Sequence, residues 1–289
     1  FSNYVNTIID LDENALHNYN ADFNYSNGSY LNRFQVNNSF GSIYGFRYKG
    51  VYQYDTYQPD KPDATAPVVR DANGNVVLDG SGDPIPMYFA YGTTNEYRFR
   101  GGDAIYEDIN HDGTIDELDI VYLGNSNPKF DGGFGTTIRW KRLSLNVFFN
   151  YRVGGKIINY GRMYSESMYN TENQSVSTNW RWRKDGDVTE IPRALFQSGY
   201  NWLVSDRFVE DGSFLRLKQL TLNYSFDPKL LKKAHLNTLN LSLTLNNMFT
   251  VTKYTGADPE ISPNNIGVSE DKNRTPRSRY FTFGLTIGI

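Results

Sequence analysis

Apolar and small polar residues alternate along five segments between residue 130 and the end of the sequence. In "LNLSLTLNN", the odd positions from Leu239 to Leu245 are leucine, and the even positions between them are Asn, Ser and Thr. This period of two predicts β-strands with two chemically different faces. A phase slip near Lys218 predicts a β-bulge within one of them. The predicted strands are residues 130–140, 143–152, 214–226, 238–250 and 279–289.

Two architectures explain this alternation: a soluble antiparallel sandwich and a membrane-spanning β-barrel. The polar faces carry Asn, Ser, Thr and Gly, whereas the outer face of a soluble sandwich favours Lys and Glu. Each segment, about 9–13 residues long, is long enough to cross a bilayer when tilted. The pattern favours the barrel, and the sandwich remains the alternative. Aromatic residues near the strand ends, as in interfacial girdles, are Trp140, Tyr151, Phe226, Phe249 and Tyr280.

The connections between these strands fall into two classes. Short turns at 141–142 and 227–237 join neighbouring strands, and the second has room for one helical turn. Outer-membrane barrels have short periplasmic turns and long extracellular loops. We therefore expect residues 1–129 to form an extracellular loop region, and residues 130–289 to form barrel strands with extracellular loops 153–212 and 251–278. Five strands cannot close a barrel, so strands outside this chain must complete it.

Composition narrows the possible functions. The 289 residues carry a net charge of −3, no cysteine and three histidines, with 22 Tyr and 18 Phe. Disulfides and thiolate metal sites are excluded, and no basic surface for nucleic acid is indicated. No apolar run has the length of a membrane helix. No signal peptide or catalytic constellation is recognisable, so we expect a piece of a longer protein that is not an enzyme.

One short segment has the spacing of a calcium-binding loop. "DINHDGTIDELD", residues 108–119, follows the pattern D-x-N-x-D-G with a further aspartate at position twelve. Gly113 at position six permits the sharp turn of such loops. The alternative is an acidic turn without metal. The predicted Ca²⁺ ligands are the side chains of Asp108, Asn110, Asp112, Asp116 and Asp119 and the backbone carbonyl of Thr114.

We expect this calcium to be structural. A calcium sensor needs two flanking helices that move apart, and the flanking sequences "RGGDAIYE" and "IVYLGNSNP" do not predict them. A loop region of more than a hundred residues is also expected to lack a large core of its own. A bound metal would then offset part of the entropy lost on ordering it.

A tryptophan-rich segment is a second candidate site. Aromatic rings stack on the apolar faces of sugars, and Arg donates hydrogen bonds to hydroxyl groups. The alternative for any single Trp is that it packs the loop onto the barrel. The candidate substrate-contacting residues are Trp180, Trp182, Arg183 and Trp202. By contrast, "YTGADPEIS" (254–262) is interpreted as a structural turn shaped by Gly and Pro.

Several segments in this order resemble the C-terminal part of SusC/RagA-type TonB-dependent transporters. They are "FRYKGVYQY", the acidic loop and its continuation to "GGKIIN", "DRFVEDGSFLRLKQLTLNYSF", "YTGADPEIS" and "YFTFGLTIGI". The resemblance implies a 22-stranded outer-membrane barrel of a Gram-negative bacterium with an N-terminal plug. It also implies import of glycans, oligosaccharides or peptides, energised through TonB.

The resemblance implies two kinds of partner. One is a SusD-like surface lipoprotein, which covers the barrel as a lid and contacts the extracellular loops. The other is the rest of the transporter, with the N-terminal barrel strands and the plug that meets the TonB complex. The alternative function is a calcium-stabilised, soluble β-type surface module for binding or adhesion.

Overall fold

The computed structural model describes residues 39–61, 63–91 and 94–289. The first 38 residues of the predicted loop region lie outside the described residues. In chain order the strands are β1 (Ser42–Gly45), β2 (Tyr48–Val51), β3 (Tyr88–Tyr91), β4 (Thr94–Arg98), β5 (Ala104–Tyr106), β6 (Thr114–Ile115), β7 (Val121–Asn125), β8 (Phe130–Trp140), β9 (Leu143–Val153), β10 (Lys156–Asn159), β11 (Val209–Asp211), β12 (Phe214–Ser225), β13 (Thr238–Asn246), β14 (Thr250–Thr252), β15 (Ser269–Asp271) and β16 (Tyr280–Gly288).

Within residues 39–61, 63–91 and 94–289, the helices are few and short. They are α1 (Tyr160–Glu166), α2 (Pro228–Lys233) and 3₁₀ turns at Glu117–Asp119, Val176–Trp180 and Asp206–Phe208. None of the helices in the described ranges has the length and apolar character needed to cross a membrane.

The chain divides into two compact units. The first contains the described residues up to Asn125 together with Ile158–Glu210 and Pro263–Lys272. The second contains Ser126–Ile157, Asp211–Ser262 and Asn273–Ile289. Each unit therefore draws on segments that are far apart in the sequence.

The second unit is built on an antiparallel sheet in the order β16-β13-β12-β9-β8, with β14 pairing to β12. Its five long strands are the five predicted from alternation. The predicted bulge is also present, because the register between β12 and β9 shifts between Leu217 and Gln219. Most boundaries agree with the prediction to within one residue, and the largest difference is that β13 ends at Asn246 and not at residue 250. Asn247 has a positive φ of 52° and donates its N–H to the Lys218 carbonyl at the bulge, so the strand stops there.

Apolar side chains form a continuous row across all five long strands. Direct cross-strand pairing links each residue to the next, and residues directly opposite one another share a face. The row runs through Ile138, Leu145, Leu222, Leu243 and Phe283.

The adjacent row on the other face is entirely polar. It consists of Thr137, Asn146, Thr221, Thr244 and Thr282. Asn146 Nδ2 donates to Thr137 Oγ1 at 2.8 Å, and the hydroxyls of Thr221 and Thr244 lie 3.2 Å apart. The chemical difference between the two faces therefore persists across the whole sheet.

The apolar face of this sheet is uncovered. Phe134, Ile138, Phe281, Phe283 and Leu285 are each more than half exposed. A soluble sandwich buries one face of every sheet against a second sheet, and these side chains are not buried in that way. This uncovered apolar face is the main departure from the packing of a soluble β-protein.

The two short turns lie at the same end of the long strands. Arg142, in the turn between β8 and β9, pairs with Asp227 at 2.6 Å. Asp227 also caps α2, where its side chain accepts the Lys229 N–H and Pro228 occupies the first turn. The predicted helical turn in this connection is confirmed. Gly288 lies at the same end of the strands, because it pairs with Thr238.

The first unit has a substantial hydrophobic core. Its largest fully buried side chains include Phe46, Phe89, Phe99 and Phe208, and they pack in one cluster with tyrosines and branched aliphatic residues. The expectation that this region lacks a large core is wrong. More than half of the members of this core come from residues 39–125, and the others come from residues 158–210 and from Val268.

Candidate functional site

The acidic loop connects β5 and β7 in the first unit. Two side chains anchor it to the core, because Ile115 is fully buried and Ile120 is only 7% exposed. Gly113 has a φ of +86°, and a Cβ there would lie 2.4 Å from Val69. Glycine is therefore required at position six for both conformation and space. In the described residues on either side, the loop is flanked by strands β5 and β7 and not by α-helices.

Backbone amides bind most of the loop's carboxylate oxygens. Gly113 donates to Asp108 Oδ2 at 2.8 Å, and Thr114 donates to Asp112 Oδ1 at 2.8 Å. Asp119 accepts from Ile109 at 2.7 Å through Oδ1 and from the Asp116 amide at 2.9 Å through Oδ2. These bonds connect the second position of the loop to the twelfth and hold it in a closed turn.

Burial makes the charged forms of three of these carboxylates unfavourable, and their proximity adds to the effect. Burial, and to a smaller extent the charges of Asp108 and Asp116, raise the pKa of Asp119 to about 7. Burial also raises the pKa of Asp108 and of Asp116. The folded loop therefore binds protons more tightly than the unfolded chain, and its stability falls as pH rises from about 4 to about 7. A cation among these groups would favour their charged forms, which burial disfavours.

One oxygen of the loop is left without a partner. Asp108 Oδ1 is buried and has no hydrogen bond within the described part of the chain, an arrangement that is costly unless another group supplies one. In residues 39–61, 63–91 and 94–289, no three His, Cys, Asp or Glu side chains already converge as a metal-binding group. The donors present have the oxygen chemistry that a hard cation prefers, but the carboxylates are turned toward backbone amides.

The four residues of the tryptophan-rich segment differ in their surroundings. Trp180 is 66% exposed, and Arg183 is exposed with one guanidinium nitrogen donating to the Asn179 carbonyl. Trp182 packs on Gly102, where a Cβ would lie 2.2 Å from its ring, and donates Nε1–H to the Gln53 carbonyl. Trp202 is 7% exposed. Trp182 and Trp202 thus have packing roles, and substrate contact by this set stays a prediction.

A buried ion pair holds this segment to the rest of the first unit. Arg193 donates from Nε to Asp103 Oδ1 at 2.7 Å and from a terminal nitrogen to the Tyr97 hydroxyl at 2.9 Å. Asp103 is fully buried and also accepts from the Tyr97 hydroxyl and the Arg100 amide. The partners are 90 residues apart, so spacing in the sequence could not have revealed them.

A second buried cluster, in the second unit, fixes the "YTGADPEIS" turn to β12. Arg216 is 3% exposed and pairs with Asp258 and, at 3.0 Å, with Glu260. Arg277 also pairs with Glu260 at 2.8 Å. Hydrogen bonds from Arg216 and the Arg277 amide hold the pKa of Asp258 below its ordinary value despite burial. The interpretation of this segment as structural agrees with these contacts, although the sequence did not identify Arg216 as the partner.

The amino-acid sequence is similar to those of known TonB-dependent receptors. No protein-family model matches the chain. TonB-dependent receptor P3 of Formosa agariphila is 30% identical over 256 residues, which are 86% of this chain and 22% of the receptor. The TonB-dependent receptor SusC of Bacteroides thetaiotaomicron is 27% identical over 222 residues, which are 76% of this chain and 21% of SusC.

A solved structure supports the fold. The RagAB peptide transporter matches with a TM-score of 0.55 and 24% identity, over 90% of this chain and 25% of the transporter chain. The chain thus spans about a quarter, or less, of the length of the proteins that it matches. The predicted all-β fold, part of a TonB-dependent transporter barrel, is confirmed, and the number of 22 strands stays a prediction.

These relatives are receptors and transporters by name and none is an enzyme, which is what the sequence predicted of this chain. The strand order, the two-faced sheet and the matches along most of the chain agree with the resemblance found in the sequence. The chain belongs to the SusC/RagA-type TonB-dependent transporters and corresponds to about a quarter of such a protein.

Proposed function

We propose that the chain forms part of the wall and of the extracellular face of a TonB-dependent importer in the outer membrane of a Gram-negative bacterium. The observation that carries the proposal is the uncovered apolar face of the five-stranded sheet, opposed by a polar row. Lipid would cover the apolar side chains, and a water-filled or plugged lumen would solvate the polar ones. The proposed lipid-facing residues include Phe134, Ile138, Leu243 and Phe283.

The two outermost strands of the sheet have unpaired edges, which favours a larger barrel completed by other strands. In the described part of the chain, β8 and β16 each pair on one side only. Unpaired backbone groups cost several kcal/mol each in lipid, so strands of the rest of the transporter would pair with both edges. In this proposal the plug and the segment that contacts the TonB complex also belong to that remaining part.

The simplest experiment concerns membrane integration of the protein that contains this chain. The proposal predicts that it stays in the outer-membrane fraction after a carbonate wash and leaves it only with detergent. The alternative, a calcium-stabilised soluble surface module, predicts release without detergent. Release by carbonate alone would contradict the importer.

For substrate and lid we propose import of glycans, oligosaccharides or peptides with a SusD-like lipoprotein partner. The matches to SusC and to the RagAB peptide transporter support this class of function. One loop also exposes several large apolar side chains: Val176, Trp180, Val188 and Phe196 are each more than 60% exposed. Exposed apolar residues concentrated on one loop are typical of a protein-binding surface.

Replacing Trp180 and Val188 together with Ser should weaken co-purification of the lipoprotein by about tenfold, because two exposed apolar contacts of about 1 kcal/mol or less each would be lost. The measurement is a pull-down through a tagged lipoprotein from detergent extract. The matched control is Leu230→Ser, which is 60% exposed on α2 at the short-turn end. If the tagged lipoprotein recovers the unmodified protein, the double variant and Leu230→Ser equally well, this loop does not contact the lid.

We further propose that the acidic loop binds one structural Ca²⁺. Asp108, Asn110, Asp112, Asp116 and Asp119 would supply side-chain oxygens, and Thr114 would supply its carbonyl. The unpartnered Asp108 Oδ1 and the raised pKa values support this proposal. Because the carboxylates do not converge without an ion, binding would turn Asp112 and Asp116 inward. Since the unit has its own core, the effect of the metal would be local to this loop.

Calcium should protect the loop from proteolysis. At 100 times its dissociation constant, a ligand disfavours opening by about 2.7 kcal/mol, so cleavage after Glu117 by a glutamyl endopeptidase should slow about a hundredfold. A chelator should reverse the protection, and Asp112→Ala should abolish it. Asp60→Ala, an exposed carboxylate outside the loop, serves as the control. Cleavage at the same rate with calcium and with chelator would reduce the motif to an acidic turn.

A further inference from the structure

The two short turns of the second unit carry an excess of positive charge. Residues 141–142 and 227–237 contain five cationic side chains and one carboxylate, which gives them a net charge of +4 in a chain whose total is −3. A local charge of this sign and size favours an anionic partner. The basic turn cluster consists of Lys141, Arg142, Lys229, Lys232 and Lys233.

Two contacts bring the turns of this cluster together. The Arg142 carbonyl accepts the Ser225 N–H at 3.0 Å, and the Arg142 guanidinium pairs with Asp227 at 2.6 Å. That pair uses the only carboxylate of the two turns. The four lysines of the cluster are exposed, and none of them pairs with a carboxylate in the part of the chain that the structure describes. Their charges are therefore available to a partner outside this chain.

The short helix α2 presents three of these lysines together. Lys229, Lys232 and Lys233 have the spacing i, i+3 and i+4, so they lie on one face of the helix. Leu231 is 5% exposed and anchors the helix, whereas Leu230 is 60% exposed. Lysines beside an exposed leucine are typical of a segment that lies at the surface of a membrane.

The cluster lies where the apolar face of the sheet ends. Trp140 is two residues beyond Ile138 of the apolar row, and Tyr224 is two residues beyond Leu222, so both lie on that face nearest the short turns. Trp140 is 66% exposed and Tyr224 is 41% exposed. The Lys141 ammonium nitrogen lies 5.1 Å from the centre of the Trp140 ring. Positive charge thus adjoins the apolar face at the level where an aromatic belt meets lipid headgroups.

This combination of groups matches the chemistry of an anionic phospholipid. Such a lipid places a phosphate and a net negative charge at the membrane surface and its acyl chains in the apolar layer. The lysines would meet the headgroup, while Trp140 and Leu230 would contact the adjoining part of the acyl chains. A soluble anion would use only the charges, and a neutral lipid would use only the apolar side chains.

We infer that the basic turn cluster, with Trp140 and Leu230, binds the headgroups of anionic phospholipids in the membrane leaflet on the short-turn side. The inference rests on the proposed function as a barrel wall and goes beyond it, because it assigns a class of lipid to one rim of the barrel.

The test uses the complete transporter in nanodiscs of phosphatidylcholine that contain a small fraction of a photoactivatable lipid. The photoactivatable group is next to the headgroup of either phosphatidylglycerol, which is anionic, or phosphatidylcholine, which has no net charge. Mass spectrometry measures the labelling of residues 138–143 and 227–237. Phosphatidylglycerol should label both segments about tenfold or more above phosphatidylcholine, because each lysine near an anionic surface contributes up to about fivefold in affinity.

The decisive variant combines Lys229→Gln, Lys232→Gln and Lys233→Gln. It should lower the preference for phosphatidylglycerol about tenfold or more, since three such contributions are lost. The matched control removes three exposed cations of the first unit, as Arg98→Gln, Arg183→Gln and Lys184→Gln, and should keep the preference. Equal labelling by the two lipids, an unchanged preference in the triple variant, or an equal loss in the control would overturn the inference.

Two further probes distinguish the lipid from other anions. Inorganic phosphate should reduce the labelling by phosphatidylglycerol no more than sodium chloride of equal ionic strength does, because both act only by screening exposed charges. Specific displacement by phosphate would identify a soluble anion as the ligand and would overturn the inference. Binding of polyglutamate to the cluster without any preference for phosphatidylglycerol would indicate an acidic protein partner and would overturn it too.

A label at the end of the acyl chain separates this inference from the proposed function. With that label, either lipid should mark Leu243 on β13 and Phe283 on β16, in the unmodified protein and in both variants, which also confirms that the variants fold. Absence of this labelling with both lipids would contradict the barrel wall itself. Labelling of β13 and β16 without a headgroup preference at the short turns would contradict only the inference.

Discussion

Replacing Arg216 with Met is expected to free the turn at residues 254–262 from β12. Removing one partner of a buried ion pair costs about 3–5 kcal/mol, because the remaining charges are left buried and unpaired. Asp258 is 8% exposed, and Glu260 would keep only Arg277 at 2.8 Å and Lys218 at 3.8 Å. Hydrogen–deuterium exchange of this turn should therefore accelerate by more than a hundredfold, while β13 and β16 remain protected.

The matched control for this prediction is Arg279→Met, since Arg279 is exposed just before β16. Arg216→Lys should give an intermediate result, because one ammonium cannot replace the two-carboxylate geometry of the guanidinium. Unchanged exchange in Arg216→Met would mean that the turn is held by its own hydrogen bonds, such as the one from the Glu260 amide to Asp258.

Arginine should be tolerated on one face of β13 and strongly destabilising on the other. Leu243 pairs with Leu222 and Phe283 in the apolar row, and Thr244 pairs with Thr221 and Thr282 in the polar row. Arg in place of a lipid-facing residue near the bilayer midplane costs about 2–4 kcal/mol. Leu243→Arg should therefore lower the amount of folded protein in the outer membrane strongly, and Thr244→Arg should change it little.

The measurement for this pair is the heat-modifiable, folded fraction on gels of isolated outer membranes, with Leu243→Ala separating loss of packing from the charge effect. Equal losses for Leu243→Arg and Thr244→Arg would contradict the assignment of the two faces. A larger loss for Thr244→Arg would mean that the face with Thr244, and not the face with Leu243, is in lipid.

The strands were predictable because each carries its own signal. Alternation through Leu239–Leu245 defines a two-faced strand whatever its neighbours are, and the slip at Lys218 marks the bulge. The end of β13 was not predictable, because Asn247 leaves the strand conformation to bind the Lys218 carbonyl of another strand. Local pattern identifies the element, and long-range contacts decide where it ends.

The first unit was predictable only in part. The acidic loop was recognised because Gly113 and the aspartates follow each other within twelve residues. The core around Phe46, Phe89 and Phe208 was not, because its members come from segments without regular periodicity.

The central claim is that the five-stranded sheet has one face in lipid and the other away from it. The chain contains no cysteine, so spin labels can be attached to single cysteines introduced at each position of 281–287 on β16. The measurement is the accessibility of each label to oxygen, which concentrates in lipid, and to a water-soluble nickel complex, in outer membranes. We predict that positions 281, 283, 285 and 287 favour oxygen and that positions 282, 284 and 286 do not. Accessibility to the nickel complex at all seven positions, or the absence of a period of two, would contradict the account.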